Sequence, residues 1–453
     1  MASGGATSAS PHPSSATPSW GRRLVGIEGL RGIAALSVVV SHVQVHTANG
    51  VELGAAQRIV GQLNQGLTLF FALSGFLLFR PFAAAIISGA PRPPAGRFLR
   101  NRALRIYPAY IVILLLASYV LQTTYVVASD DDGIAGVGNT LGPISEWWKL
   151  LADLSMFHTI APATVKTGLG VSWSLTTELC FYLVLPLLAA GAAWLARHRM
   201  PKLAAVWTVP AALLVTGIIG RVVAERTLNA ATPEQRFDQQ WGSTWHAVLE
   251  RSLFVQADLF AYGAAAAILF VLIERQLVGA RAALAIRLVA IVGFLAVALL
   301  LVGPGLPGRF DSSRWETSPV AAACAALILW TALPNRSDRP SSVGRLSETR
   351  PLHFAGLFSY SVYLWHLPVL WWLSIRDLLF PATPAGFVGN AVLVVALTVA
   401  LSAATYYLIE APALRLKKRT DGGKTADAGP PVIATTVHTP TGPDAVLPEP
   451  SRD

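Results

Sequence analysis

Two ionisable residues share one apolar stretch near the start of the chain, Arg31 and His42. Eleven positions turn an α-helix about 1100°, close to three full turns, so both side chains lie on one face roughly 16 Å apart along the axis. Imidazole suits acid–base work near neutral pH, and guanidinium grips phosphate through paired hydrogen bonds. Such groups are costly in hydrocarbon, so this face is expected to look into the protein or a wet cavity. Further chemistry-bearing residues sit on other apolar runs. Glu178 follows Val171-Ser172-Trp173-Ser174-Leu175-Thr176-Thr177; a carboxylate beside His42 would hold its tautomer and raise its basicity. Arg102 and Arg105 are one turn apart where an apolar run begins. Ordinary charge at a membrane surface explains them, and so does a phosphate clamp which, with Arg31, would hold a polyanion such as the nucleotide end of coenzyme A. Ser359-Tyr360-Ser361-Val362-Tyr363-Leu364-Trp365-His366 is polar for a lipid-facing run. Ser361, Tyr363 and His366 are its candidates for substrate binding, together with Asp258, read as a mid-span carboxylate that is either neutral or paired with a cation.

The elements that must position these residues are membrane-spanning helices. Hydrophobic residues make up 53% of the 453 residues and charged residues 13%, and mean hydropathy is +0.52. A soluble domain carries more charge. Ten spans are expected, at about 25–47, 66–88, 104–127, 173–196, 203–223, 250–274, 283–302, 318–334, 353–375 and 385–410. Threading the chain through them puts 21 lysines and arginines on one side and 10 on the other, with acids such as Asp130–Asp132 and Asp311 on the poorer side. That asymmetry orients both termini to the cytoplasm of a cell membrane. The formal charge of +10 is thereby accounted for without nucleic acid. On this threading His42 and Glu178 both fall in the outer half and are expected to meet. The outer loop around Trp147-Trp148 reads as an interfacial or re-entrant helix. Cys180 and Cys324 lie inside apolar runs and indicate neither a disulfide framework nor a metal site.

The same stretches carry a family resemblance. The chain resembles membrane acyltransferase family 3, bacterial O-acyltransferases of sugars, polysaccharides and some antibiotics. The matching pieces are Leu30-Arg31-Gly32 with His42, Phe70 to Phe76, Arg100/Arg102/Arg105 with Pro108, Trp173-Ser174-Leu175 with Glu178 and Phe181-Tyr182, Ser359 to His366, and Glu410 with Pro412. The resemblance implies a ten-helix bundle that moves an acyl group from acyl-CoA to a hydroxyl, with His42 essential and Arg31 and the third-span arginines important. Val362 stands where some relatives carry an acid, which moves weight onto Glu178.

The expectations are therefore an all-α, polytopic transmembrane helix bundle, with disordered tails at 1–22 and 419–453 around a transmembrane acyltransferase domain at 23–418. His42 and Glu178 are the catalytic candidates. His42 would act as general base or as an acyl relay. Arg31, Arg102 and Arg105 would bind the acyl-CoA donor, no metal is needed, and the acceptor would be a carbohydrate, glycolipid or glycosylated metabolite. The rival reading is a transporter or flippase of a glycan or glycolipid, with His42, Glu178 and Asp258 as an intramembrane proton relay.

Overall fold

The computed structural model describes residues 24–128, 139–228, 232–302, 316–334 and 339–415. Both expected tails, Asp130–Asp132 and Asp311 lie outside the described residues. Among the described residues, ten long helices stand where ten spans are expected: α1 (Ile27–Thr47), α2 (Gly66–Ser88), α3 (Ala95–Leu115), α4 (Trp173–His198), α5 (Lys202–Arg226), α6 (Leu253–Glu274), α7 (Ala280–Val302), α8 (Thr317–Ala332), α9 (Ser359–Ile375) and α10 (Pro384–Thr405). Among the described residues, seven helical stretches are long and apolar enough to cross a membrane by length and composition. The other three fall short of that standard. α8 and α9 have only 16 and 17 residues, and α1 carries Glu28, Arg31, His42 and His46. α9 is buried along most of its length, so its polar groups are surrounded by protein and not by lipid.

Two boundaries differ from expectation. The third helix begins at Ala95, about two and a half turns before the expected 104, and so carries Arg102 as well as Arg105 within it. At its other end a π-helical segment, Leu116–Leu121, leads into strand β1 (Thr124–Ala128), which pairs antiparallel with β2 (Asn139–Gly142). Tyr125 also exchanges backbone hydrogen bonds of 2.9 Å with Gly168, which ties the paired strands to that loop. The loop helix expected near Trp147 is Trp147–Leu154. Eight residues span about 12 Å, too short to cross, and the helix exposes Trp147 and Leu151 while burying Asp153. The expected ninth span is two helices, Arg350–Leu357 and α9, meeting at Phe358.

The core is the crossing of α2 and α6, where Phe181 of α4 stacks on Phe260 of α6 at 4.2 Å and Phe71 of α2 lies 4.8 Å from the same ring. The crossing is close because two glycines face backbone. A Cβ on Gly75 would stand 2.2 Å from the Phe260 carbonyl oxygen, and one on Gly263 1.9 Å from that of Ala72. Small residues allow this approach, and with it the dispersion contacts that hold helices together where water supplies no driving force. α1 is held in the same way: a Cβ on Gly29 would meet the Ser347 carbonyl oxygen at 1.8 Å, and the Gly26 amide donates to Glu348 Oε1 at 2.8 Å. α7, with only Ala290 buried, lies at the periphery.

Candidate functional site

α1 carries Arg31 and His42 into two adjoining cavities. The first, about 350 Å³, is lined by Arg31, Arg102, Arg105, Glu28, Glu178 and Tyr182. The second, about 740 Å³, is lined by His42, His46, His158, Lys166, Trp241 and Arg251 among others. Leu67, Phe71 and Tyr363 line both, and so form the septum between them. The helical periodicity of α1 alone sets the Arg31–His42 spacing of roughly 16 Å, and the septum falls between the two.

In the arginine cavity, Arg31 lies 3.7 Å from Glu28. Arg102 Nε is buried with no hydrogen-bond partner among the described residues. A buried donor without an acceptor is costly, and a phosphate oxygen would satisfy it. Glu178 belongs to this cavity and not to His42, contrary to expectation. Its Oε1 accepts from the Ser74 hydroxyl at 2.5 Å, and no contact joins it to His42 among the described residues. Arg31, Arg102 and Arg105 line the same cavity as Glu178.

In the histidine cavity, His42 Nδ1 lies 3.0 Å from the Val38 carbonyl oxygen and 3.3 Å from His366 Nε2. A carbonyl oxygen only accepts, so Nδ1 carries the proton and Nε2 of the neutral ring bears the free lone pair. His366 is fixed in the complementary way. Its Nδ1 donates to the Tyr363 carbonyl oxygen at 2.7 Å, leaving Nε2 to accept from His42. The partner that orients His42 is thus a second imidazole and not a carboxylate. His46 stacks beside His42 at 6.1 Å and meets the Trp371 ring edge-on at 4.7 Å.

The remaining candidates separate. Tyr363 stands at the septum, its hydroxyl 2.8 Å from Ser174 Oγ and donating to the Val171 carbonyl oxygen at 3.1 Å. His366 sits behind His42. Ser361 lines neither cavity: it faces α10 and donates to Glu410 Oε1 at 2.5 Å. Asp258 also lines neither. It is in the second turn of α6, nearer the helix end than the mid-span position expected, and is fully buried. Its two oxygens accept from Arg221 Nε and Nη2 at 3.0 and 2.9 Å. An acid so sequestered is matched by a cation from α5, and it is no member of a proton relay through the cavities. Among the described residues no cluster of His, Cys, Asp or Glu could hold a metal ion.

Some participants escape sequence reading. Ser74 lies in Leu73-Ser74-Gly75-Phe76, whose small residues signal packing. Lys166 and Arg251 count only as loop charges. Buried next to the histidine cavity, Ser172 Oγ lies 3.0 Å from His158 Nε2, and His158 Nδ1 lies 3.7 Å from Asp153 Oδ1. Burial pushes Asp153 up to about 8 and His158 down to about 3. Nothing in the spacing of these three residues marks them as neighbours.

A family profile described as an acyltransferase domain matches residues 24–407. The chain is 25% identical over 405 residues to the "Putative peptidoglycan O-acetyltransferase YrhL" of Bacillus subtilis, covering 86% of this chain and 55% of that protein. It is 27% identical over 229 residues to the acyltransferase MdmB of Streptomyces mycarofaciens, covering 49% of this chain and 53% of the other. It is 26% identical over 172 residues to the O-acetyltransferase OatA of Staphylococcus aureus, covering 37% and 24%. The chain thus spans about half or less of the length of these relatives. No solved structure matches significantly.

Proposed function

The chain belongs to membrane acyltransferase family 3, and from that premise we propose that it transfers an acyl group from acyl-CoA to a hydroxyl of a carbohydrate, glycolipid or glycosylated metabolite. The observation that carries this reading is the pair of cavities served by one helix. Arg31, Arg102 and Arg105 line the first, and guanidinium groups hold phosphate oxygens bidentately. Glu178, among these groups, is assigned to positioning them and not to assisting His42. The long, thin pantetheine arm passes the septum of Leu67, Phe71 and Tyr363 and brings the thioester to His42. The excess of lysine and arginine at the arginine end supports a cytoplasmic orientation for that end, where acyl-CoA is made.

His42 Nε2 removes the proton from the acceptor hydroxyl as its oxygen attacks the thioester carbonyl. The imidazolium so formed keeps Nδ1–H on the Val38 carbonyl and on His366 Nε2, both of which accept from it more strongly once the ring is charged. The tetrahedral intermediate collapses, the carbon–sulfur bond breaks, and His42 returns its proton to the departing thiolate. Tyr363, whose hydroxyl stands at the septum, is assigned to the oxyanion, its O–H turning from the Val171 carbonyl oxygen to the developing charge. The relatives named as O-acetyltransferases, one of them of peptidoglycan, favour acetyl as the group moved and a cell-envelope glycan as acceptor. The test is acyl transfer from labelled acetyl-CoA to cell-envelope material in membranes containing His42→Ala. Loss of transfer by about 10²- to 10⁴-fold, the contribution of a general base, at unchanged membrane abundance is expected; transfer at the original rate refutes the assignment.

A further inference from the structure

The histidine cavity holds a second charged feature that the transfer chemistry does not use. Lys166 and Arg251 both line it. Lys166 has no hydrogen bond or ion pair with any described residue, yet the backbone that carries it is fixed on both sides. The Val165 amide donates to the Ala161 carbonyl oxygen at 2.9 Å and the Thr167 amide to that of Thr164 at 3.0 Å, while the Thr167 hydroxyl donates to Asp153 at 3.2 Å. Arg251 is equally constrained. Its Nη1 donates to the carbonyl oxygens of Gln240 and Ala247 at 2.9 and 3.0 Å, and its guanidinium lies 5.4 Å from the Trp241 ring and 6.0 Å from that of Trp173. Burial and the charge of Arg251 hold the Lys166 ammonium below the usual lysine range. Two acids stand nearby: Asp238 is exposed on the cavity wall, and Glu250, 3.6 Å from His246, also acts electrostatically on Arg251. Two cations that line one cavity and sense each other's charge repel, and an anion between them removes that cost. The Trp173 and Trp241 rings beside them are flat apolar surfaces of the kind that pack against a sugar face.

The geometry points to an acceptor that is itself anionic, a sugar bearing a carboxylate or phosphate, which Lys166 and Arg251 hold while its hydroxyl is presented to His42. This deepens the acyl-transfer reading and rests on it for the identity of the cavity's occupant. The test begins with binding, which needs no turnover. Purified full-length chain carrying His42→Ala is titrated with a disaccharide ending in glucuronate, with glucose 6-phosphate and with the disaccharide ending in glucose, followed by tryptophan fluorescence. At least one charged sugar should bind tenfold or more tighter than the neutral one, and which of them does identifies the anion. Lys166→Gln should abolish that preference and Lys166→Arg should keep it. Equal binding of charged and neutral sugars, or a preference that survives Lys166→Gln combined with Arg251→Gln, overturns the inference. Acyl-transfer assays with the same sugars and the unaltered His42 separate the two readings: transfer without preference for charge removes the anion subsite alone, whereas charge-selective binding with no transfer to any sugar removes the acyl-transfer reading alone.

Discussion

The Asp153–His158 pair sets a pH window for stability that can be worked from its geometry. Asp153 Oδ1 accepts from Thr167, and Oδ2 and His158 Nδ1 have no hydrogen-bond partner among the described residues. Ser172 donates its hydroxyl proton to the Leu169 carbonyl oxygen at 2.6 Å, so its oxygen accepts from His158 Nε2–H and the Nδ1 lone pair faces Asp153. Burial favours the neutral form of both groups. It raises Asp153 from 3.8 to about 8 and lowers His158 from 6.5 to about 3. The raised acid contributes stability that is fully present below pH 3.8 and is lost as pH rises towards 8, because the folded chain keeps a proton that the unfolded chain releases. The lowered imidazole contributes stability that is fully present above pH 6.5 and is lost as pH falls towards 3. Between about pH 4 and 6.5 the two slopes oppose and cancel. From pH 6.5 to 8 only the acid titrates, at about 1.4 kcal/mol per unit, so roughly 2 kcal/mol is lost over that interval. Thermal unfolding of detergent-solubilised protein, followed by tryptophan fluorescence, should show a fall in melting temperature of roughly a few °C across it. Asp153→Asn keeps the shape and cannot ionise, and should flatten this alkaline arm. An alkaline slope that persists undiminished in Asp153→Asn would show that another group carries it.

Other expectations concern the helices and the dyad. Asp258→Ala takes from Arg221 the carboxylate that Nε and Nη2 donate to, and should cost about 3–5 kcal/mol; measured by thermal unfolding, a change under 1 kcal/mol would contradict the ion pair. Gly263→Leu would drive a side chain into the Ala72 carbonyl and should abolish recovery of monodisperse protein, whereas Gly293→Leu on α7, where an added Cβ meets nothing within 4 Å, should be recovered normally. His366→Phe keeps the ring and removes the acceptor for His42 Nδ1–H. It should lower kcat about 10- to 100-fold, the worth of a hydrogen bond to a charged group, without changing KM for acyl-CoA; an unchanged kcat in steady-state assays would dismiss the dyad.

The sequence by itself determined what is local and periodic. Apolar length placed ten helices. The 3.6-residue period put Arg31 and His42 on one face, and the order of motifs along the chain marked the family. Rotation about each helix axis and depth relative to neighbours were decided only in the tertiary structure. α6 is apolar all round, so nothing in its pattern tells that Asp258 faces Arg221 of α5. Glu178 and His42 fit one depth on a threading of spans, but in the folded chain Glu178 lines the cavity of Arg31, Arg102 and Arg105, and His366 stands beside His42 in its place. Lys166 and Arg251, far apart in the chain, share a wall because a loop bridged to the β1 strand and the turn before α6 converge on one cavity. In a bilayer most faces of a helix are equally apolar, so the hydrophobic pattern that registers soluble helices is weak. Small-residue contacts and buried polar pairs, which exist only between helices, set the registration instead.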